Sequence, residues 1–175
     1  MSLKWFETAP RRILALVAVA CAGMIGFGLY LQHVVGLVPC PMCIVQRYAI
    51  ILVGLTAGLT ALSRSRPGWL LGSFLVLLFA GFGAFVGARQ TWLQWYPPLF
   101  SSCGRDFYGM IEAFPLQRAI PMIFKGSGDC SKVDWTFLGA SLANWNLIFS
   151  SAFALVALML IVRQWRRRQG RQAYA

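Results

Sequence analysis

Four long apolar windows dominate the pattern of this 175-residue chain, and the segments between them carry most of its charged residues. Each window reaches roughly 18–20 residues, close to the ~20 that a helix needs to cross a ~30 Å hydrocarbon core. The windows run from Ile13 to Leu31, Ile44 to Leu62, Trp69 to Ala88 and Trp145 to Val162. The pattern predicts an all-α integral membrane protein, in which residues 1–175 form one domain built as a bundle of four transmembrane helices.

Composition favours this class over a soluble protein. Hydrophobic residues make up 58% of the chain and charged residues 12%, and the mean hydropathy is +0.64. The charged fraction is about half the ~25% of an ordinary soluble domain.

The first window also has features of a signal peptide. Lys4, Arg11 and Arg12 precede it, and Ala20-Cys21-Ala22 resembles a small-residue cleavage site. The apolar run nevertheless continues to Leu31, whereas the apolar region of a signal peptide covers ~7–15 residues. We therefore favour a retained transmembrane helix.

The basic residues predict the orientation of the chain. Ten of the sixteen Lys and Arg residues lie before the first window, between the second and third, or after the fourth. Short segments rich in Lys and Arg stay cytoplasmic, so both termini are predicted to be cytoplasmic and the loops at about 32–43 and 89–144 periplasmic. The net charge of +11 is explained by this topology and by contact with anionic lipid, and no nucleic-acid partner is expected.

The long second loop contains its own pattern. Phe107, Met110, Ile111 and Phe114 recur with helical spacing, which predicts a short amphipathic helix lying in the membrane interface. Several aromatic residues flank the windows and are interpreted as an interfacial belt that anchors the bundle; they are Trp92, Trp95, Tyr96, Trp135 and Trp145.

Two sequence pairs, Gly54-x-x-x-Gly58 and Gly83-x-x-x-Gly87, place small residues on one helix face. Such faces allow close helix contacts in lipid. We expect packing within the chain rather than a dimer interface.

Four of the five cysteines fall in the predicted periplasmic segments, where disulfides persist. Cys40 and Cys43 form a Cys-x-x-Cys sequence directly before the second window, which is typical of thiol redox chemistry, a structural disulfide or a metal clip. A zinc site usually needs four Cys or His ligands, and His33 is the only histidine, so no metal is expected. Cys40 near a helix N-cap, with Pro41 in the first turn, favours a stabilised thiolate and hence the redox interpretation.

Two further residues lie inside the windows. Cys21 has no cysteine at the same depth elsewhere and is interpreted as a small buried apolar residue. Arg47 lies one turn after Cys43 on the same helix face, and an arginine within a spanning helix is costly unless it has a partner or a function. We favour a functional role for Arg47 over snorkelling to the membrane surface.

The chain has four predicted spans, a Cys-x-x-Cys at the start of the second span, Arg47 beyond it and a second cysteine pair, Cys103 and Cys130. Together these features resemble the bacterial disulfide bond formation protein B (DsbB) family. The resemblance covers essentially the whole chain. It implies an inner-membrane protein-dithiol:quinone oxidoreductase that reoxidises a periplasmic DsbA-like thiol oxidase and passes the electrons to ubiquinone or menaquinone.

The resemblance also implies residue roles. Cys103 is attacked by the reduced partner, and Cys130, released by that attack, passes the reducing equivalents to Cys40. Cys43 then becomes the thiolate that faces the quinone, with Arg47 beside the ring. Gln90 stands where some family members carry a histidine near the quinone; its amide donates a hydrogen bond but carries no proton as an imidazolium does.

Two other functions remain as alternatives. A membrane scaffold or small-solute channel stapled by two disulfides predicts inert cysteines. An exporter of reducing power from a cytosolic thiol carrier needs cysteines in the cytoplasmic segments, and the sequence has none there.

Overall fold

The structure is a computed structural model that describes residues 10–63, 65–97, 128–131, 133 and 135–172. Within them the elements follow in the order α1 (Pro10–His33), α2 (Pro41–Leu62), α3 (Arg66–Trp95), α4 (Gly128–Ser131), β1 (Thr136–Phe137), β2 (Ala140–Ser141) and α5 (Leu142–Gln172). The helices α1, α2, α3 and α5 are long and apolar enough to cross a membrane, which confirms the predicted class. Cys103 and the predicted amphipathic helix, with Phe107, Met110, Ile111 and Phe114, lie outside the described residues.

Small and apolar side chains fill the interior of the bundle, while large apolar side chains point away from it. Each long helix contributes a fully or almost fully buried residue to one core; these are Leu14, Ala57, Val76 and Ala157. Leu59 and Leu71 are 69% and 61% exposed. Such an apolar exterior is stable only against lipid, because in water it would favour association.

The core includes side chains of α1, which supports a retained first helix over a cleaved signal peptide. Cys21 is 2% exposed and belongs to this core, in agreement with its interpretation as a buried apolar residue. A Cβ atom on Gly54 would lie 3.0 Å from the Cβ of Cys21, so α1 and α2 approach closely at this point.

The two glycine pairs pack within the chain. A Cβ atom on Gly58 would lie 3.8 Å from the Cβ of Ala18 on α1, and one on Gly87 would lie 3.2 Å from the Cα of Leu147 on α5. Small residues thus let the neighbouring backbones approach, as expected for helix contacts in lipid.

The third helix is longer than its apolar window. The window ends at Ala88, and the sequence predicted a loop from residue 89, but α3 continues to Trp95. Arg89 and Gln90 end the hydrophobic run without breaking a helix, and the first residue that cannot continue one is Pro97. Gln90 therefore lies on a rigid helix and not in a loop.

Before α5, the chain forms a small antiparallel ribbon that the sequence did not predict. Thr136 pairs with Ser141 and Phe137 with Ala140. The two residues of the turn, Leu138 and Gly139, both have positive φ, 51° and 77°, as in the type I′ turns that match the twist of a hairpin.

Hydrogen bonds tie the start of α5 to the neighbouring elements. Ser141 Oγ donates to Gln94 Oε1 at 2.7 Å, and Thr91 Oγ1 donates to Asn144 Oδ1 at 2.8 Å. Trp145 Nε1 donates to the carbonyl of Phe137 at 3.0 Å. These contacts fix the end of the bundle that carries the cysteines, which we call the thiol end and define by Cys40, Cys43 and Cys130.

Candidate functional site

Cys40 and Cys43 lie at the first turn of α2. Cys40 is the N-cap residue, with Pro41 at the start of the helix, as the sequence predicted. The backbone N–H of Cys43 donates to Cys40 Sγ at 3.3 Å, and the two sulfur atoms lie 2.6 Å apart. The N–H of Cys43 and the positive end of the helix dipole at this position stabilise negative charge on sulfur.

The short helix α4 brings a third sulfur to this pair. Cys130 is completely buried and packs with Cys40, Met42, Val86 and Leu93 in a second apolar cluster. Hydrogen bonding with Cys130 and with Cys43, together with burial, raises the pKa of Cys40. Cys40 therefore contacts the loop cysteine on one side and its helix partner on the other.

Two glutamine side chains connect α2 and α3 at the sulfur atoms. Gln90 Nε2 donates to the Sγ atoms of Cys40 and Cys43, at 3.3 Å in each case. Gln46 Nε2 in turn donates to Gln90 Oε1 at 2.9 Å, and both side chains are buried. This bond orients the Gln90 amide so that its NH₂ group faces sulfur, the arrangement that suits a thiolate acceptor.

Arg47 is bound to α1. Its guanidinium donates to Gln32 Oε1 and, at 3.1 Å, to the carbonyl of Gly28. The side chain is half-buried. These contacts with α1 hold the guanidinium beside the first turns of α2.

Two cavities meet at this site. The smaller has a volume of about 80 Å³ and is lined by Cys40, Gln90 and other residues of the thiol end, and the larger has a volume of about 540 Å³. Cys43 and Arg47 line both. Cys43 thus lies at the boundary between the cysteine cluster and a much larger space.

The larger cavity is lined by residues of α1, α2 and α5 and by Trp135 and Phe137 at the ribbon. Its walls are mainly apolar and aromatic, and its polar side chains are Gln46, Arg47 and Asn146. Phe27 and Trp135 meet with ring centroids 5.6 Å apart, which links α1 to the ribbon. An apolar cavity of this size with a few polar groups is typical of a small-molecule site.

Trp135 and Trp145, interpreted from the sequence as membrane anchors, line this cavity. Their positions in the sequence do not distinguish them from Trp92 and Trp95. These two residues lie on α3, are 55% and 68% exposed, and fit the anchoring interpretation.

Five of the six candidate site residues come together in the structure. Four of them, Cys40, Cys43, Arg47 and Gln90, line the smaller cavity, and Cys130 contacts Cys40. The sixth, Cys103, lies outside the described residues. Gln90 contacts the sulfur atoms, so its predicted place beside a quinone stays a prediction.

Gln46 and Asn146 were not predicted from the sequence as site residues. Both are amides inside otherwise apolar windows, and a polar side chain at such a position is itself a signal. Among the residues that the structure describes, no group of three or more His, Cys, Asp or Glu side chains is arranged to hold a metal ion.

Comparison with known proteins gives a consistent family match. The model of the family described as "Disulfide bond formation protein DsbB" matches residues 10–160. The chain is 65% identical to disulfide bond formation protein B of Polaromonas sp. (strain JS666 / ATCC BAA-500) over 96% of this chain and 100% of that protein. It is 68% identical to the Polaromonas naphthalenivorans protein of the same name, over 91% and 96%, and 62% identical to that of Acidovorax sp. (strain JS42), over 94% of each.

Proposed function

Because this chain belongs to the DsbB family, and is thus a multi-pass membrane oxidoreductase that supports disulfide bond formation, we propose that it oxidises a periplasmic DsbA-like dithiol protein and passes the electrons to a membrane quinone. The main support is a series of contacts between three sulfur atoms. Cys130 contacts Cys40, Cys40 contacts Cys43, and Cys43 lines the larger cavity. These contacts link α4, which lies within the long second loop, to a cavity lined by α1, α2 and α5.

The residues around the larger cavity fit a quinone. The cavity is lined mainly by apolar and aromatic side chains, and Arg47 supplies a guanidinium beside Cys43. A para-quinone is a flat ring with carbonyl acceptors and an apolar chain, so it matches aromatic walls with a donor at one position. When bound, the quinone supplies an acceptor of two electrons and two protons and leaves as quinol.

The first exchange steps take place at the loop pair. A thiolate of the reduced partner attacks Cys103 of a Cys103–Cys130 disulfide, forms a mixed disulfide with Cys103 and releases Cys130 as a thiolate. The second partner thiolate then attacks the partner sulfur of the mixed disulfide and releases Cys103. The partner leaves with a disulfide, and the loop pair has gained two electrons.

The next exchange moves those electrons to α2. Cys130 attacks Cys40 of a Cys40–Cys43 disulfide, and Cys43 leaves as a thiolate. Cys103 then attacks Cys130, which re-forms the loop disulfide and leaves Cys40 and Cys43 as a dithiol. Leaving-group stability governs such exchange, and the Gln90 amide and the α2 N-terminus stabilise Cys43 in that role.

The proposed orientation puts the thiol end in the periplasm and both termini in the cytoplasm of a bacterial inner membrane. It rests on the excess of Lys and Arg in the segments at the opposite end. Alkaline phosphatase fused at Ser127 should be active and a fusion after Arg171 inactive; the reverse activities would contradict this orientation.

A direct test uses purified protein in lipid nanodiscs with a reduced DsbA-like protein and a short-chain ubiquinone analogue. We expect one partner disulfide for each quinone consumed, and extraction of freshly purified protein should yield bound quinone. Partner oxidation that proceeds without quinone loss would contradict the proposal, and inert cysteines would favour a stapled scaffold or channel.

A further inference from the structure

Asn146 carries a buried amide at the start of α5. It lies one turn into α5 and is 6% exposed. Among the residues that the structure describes, neither Oδ1 nor Nδ2 has a partner. An unpaired polar group in an apolar surrounding is destabilising, so this amide costs stability in the protein without a ligand.

The position of Asn146 indicates a role in binding a ligand of the larger cavity. Asn146 lines the larger cavity together with Cys43 and Arg47, although it belongs to α5 and they belong to α2. The other two polar side chains of that cavity already have hydrogen-bond partners. Gln46 donates to Gln90, and Arg47 uses two of its five N–H donors on α1.

The distances of Asn146 and Arg47 from the ends of their helices are consistent with both residues binding one ligand. Asn146 lies four residues after the start of α5, and Arg47 lies six residues after the start of α2. With a rise of about 1.5 Å per residue, both lie roughly 6–9 Å from the helix ends at the thiol end.

We propose that Asn146 is a binding residue for the quinone headgroup, hydrogen-bonding from α5 to the same ligand that Arg47 meets from α2. The inference rests on the proposed function. Both amide atoms are shielded in the structure, so the contact involves a rotation of the side chain toward the cavity.

The chemistry of an amide suits both oxidation states of such a ligand. A quinone carbonyl accepts a hydrogen bond from Nδ2, and a quinol hydroxyl donates one to Oδ1. Asn146 therefore binds each form without gaining or losing a proton, and a leucine of nearly the same shape makes neither bond.

The test compares Asn146→Leu with Ser73→Ala in protein freed of quinone. Ser73 on α3 is a matched control, because its hydroxyl is also buried without a partner among the described residues but does not line the larger cavity. Asn146→Ala is made in parallel, so that a folding defect of one substitution does not decide the result. Trp135 and Trp145 in the cavity wall report binding through quenching of their fluorescence by a short-chain ubiquinone analogue.

We expect both substitutions at Asn146 to raise the quinone Kd, by about tenfold for leucine, while Ser73→Ala keeps the wild-type Kd. The melting temperature of Asn146→Leu without quinone should equal or exceed that of the wild type, because an unpaired amide has been removed. An unchanged Kd in the Asn146 variants beside a binding wild type would overturn this inference alone. A wild type that binds no quinone would overturn the proposed function with it.

Discussion

Arg47 illustrates how much a single side chain in the membrane depends on its partners. Its guanidinium donates to Gln32 and Gly28 of α1 while the side chain lines both cavities beside Cys43. These contacts hold the guanidinium beside the first turns of α2, and a functional role for Arg47 over snorkelling stays a prediction.

Arg47→Leu should raise the quinone KM or slow the reductive step, because the donors beside Cys43 are lost. Arg47→Lys should recover only part of the activity, since one ammonium cannot bond Gln32, Gly28 and a ligand with the fixed fork of a guanidinium. The measurement is steady-state quinone reduction by folded protein in detergent at several quinone concentrations. Wild-type kinetics for both variants would contradict a role for Arg47 at the quinone and would indicate that it serves only as a membrane anchor.

Gln46 acts on the sulfur atoms through Gln90. Gln46→Glu replaces the donor to Gln90 Oε1 by a carboxylate that accepts, so Gln90 turns its carbonyl toward sulfur. We expect iodoacetamide to alkylate Cys43 of the reduced protein about tenfold more slowly at neutral pH, because the thiolate loses a hydrogen bond. Mass spectrometry of the labelled peptides gives the rate for each cysteine.

Gln94→Glu is the control for Gln46→Glu, since Gln94 also lies at the thiol end but accepts from Ser141. Its alkylation rate at Cys43 should stay near that of the wild type. Equal slowing in both variants would show a general effect of added negative charge and contradict the orienting role of Gln46.

At the scale of the elements, α2 and α3 pack in close contact at Gly72. A Cβ atom on Gly72 would lie 1.9 Å from Thr60 Oγ1 and 2.6 Å from its Cγ2. Thr60 is buried and donates to the carbonyl of Thr56. The short link between the helices leaves them little freedom to separate.

Gly72→Ala should therefore lower the stability of the folded protein by about 1–3 kcal/mol, the usual cost of overpacking. Gly81→Ala is the matched control, because a Cβ atom there meets none of the described residues within 4 Å and alanine favours the helix. The measurement is the melting temperature of each variant in the same detergent. Equal melting temperatures would contradict the close approach of α2 and α3 at Gly72.

The sequence predicted the elements whose physics is local. Apolar windows gave the four spans, and Cys40 with Pro41 gave the start of α2. The end of α3 was wrong because a hydropathy window ends at polar residues such as Gln90, whereas a helix ends where its hydrogen bonds do. The ribbon at Thr136–Ser141 was missed because its turn contains Leu138, a residue that rarely adopts positive φ.

At the scale of the whole molecule, the site depends on contacts that no local pattern contains. The sequence paired Cys40 with Cys43 by spacing, but the contact of Cys130 with Cys40 depends on how α4 packs against α2 and α3. The polar positions Gln46 and Asn146 are visible in the windows, yet only the assembled bundle shows that both line one cavity. Resemblance to the family supplied the roles that local physics did not.

The proposed route divides the chemistry between two cysteine pairs. In it, the loop pair exchanges with a soluble protein, and the α2 pair serves the acceptor in the membrane. We expect small dithiols, unlike the protein partner, to reach the α2 pair directly, so that the two halves of the proposed route can be measured separately.

The most direct measurement is the rate of quinone reduction by Cys103→Ser and Cys130→Ser with each of two electron donors, a reduced DsbA-like protein and a small dithiol. If electrons follow the proposed route, both variants lose the reaction with the protein while retaining part of the reaction with the small dithiol. Cys43→Ser, as the control at the other end, should lose both. Oxidation of the protein partner at the wild-type rate by Cys103→Ser would contradict the proposed route.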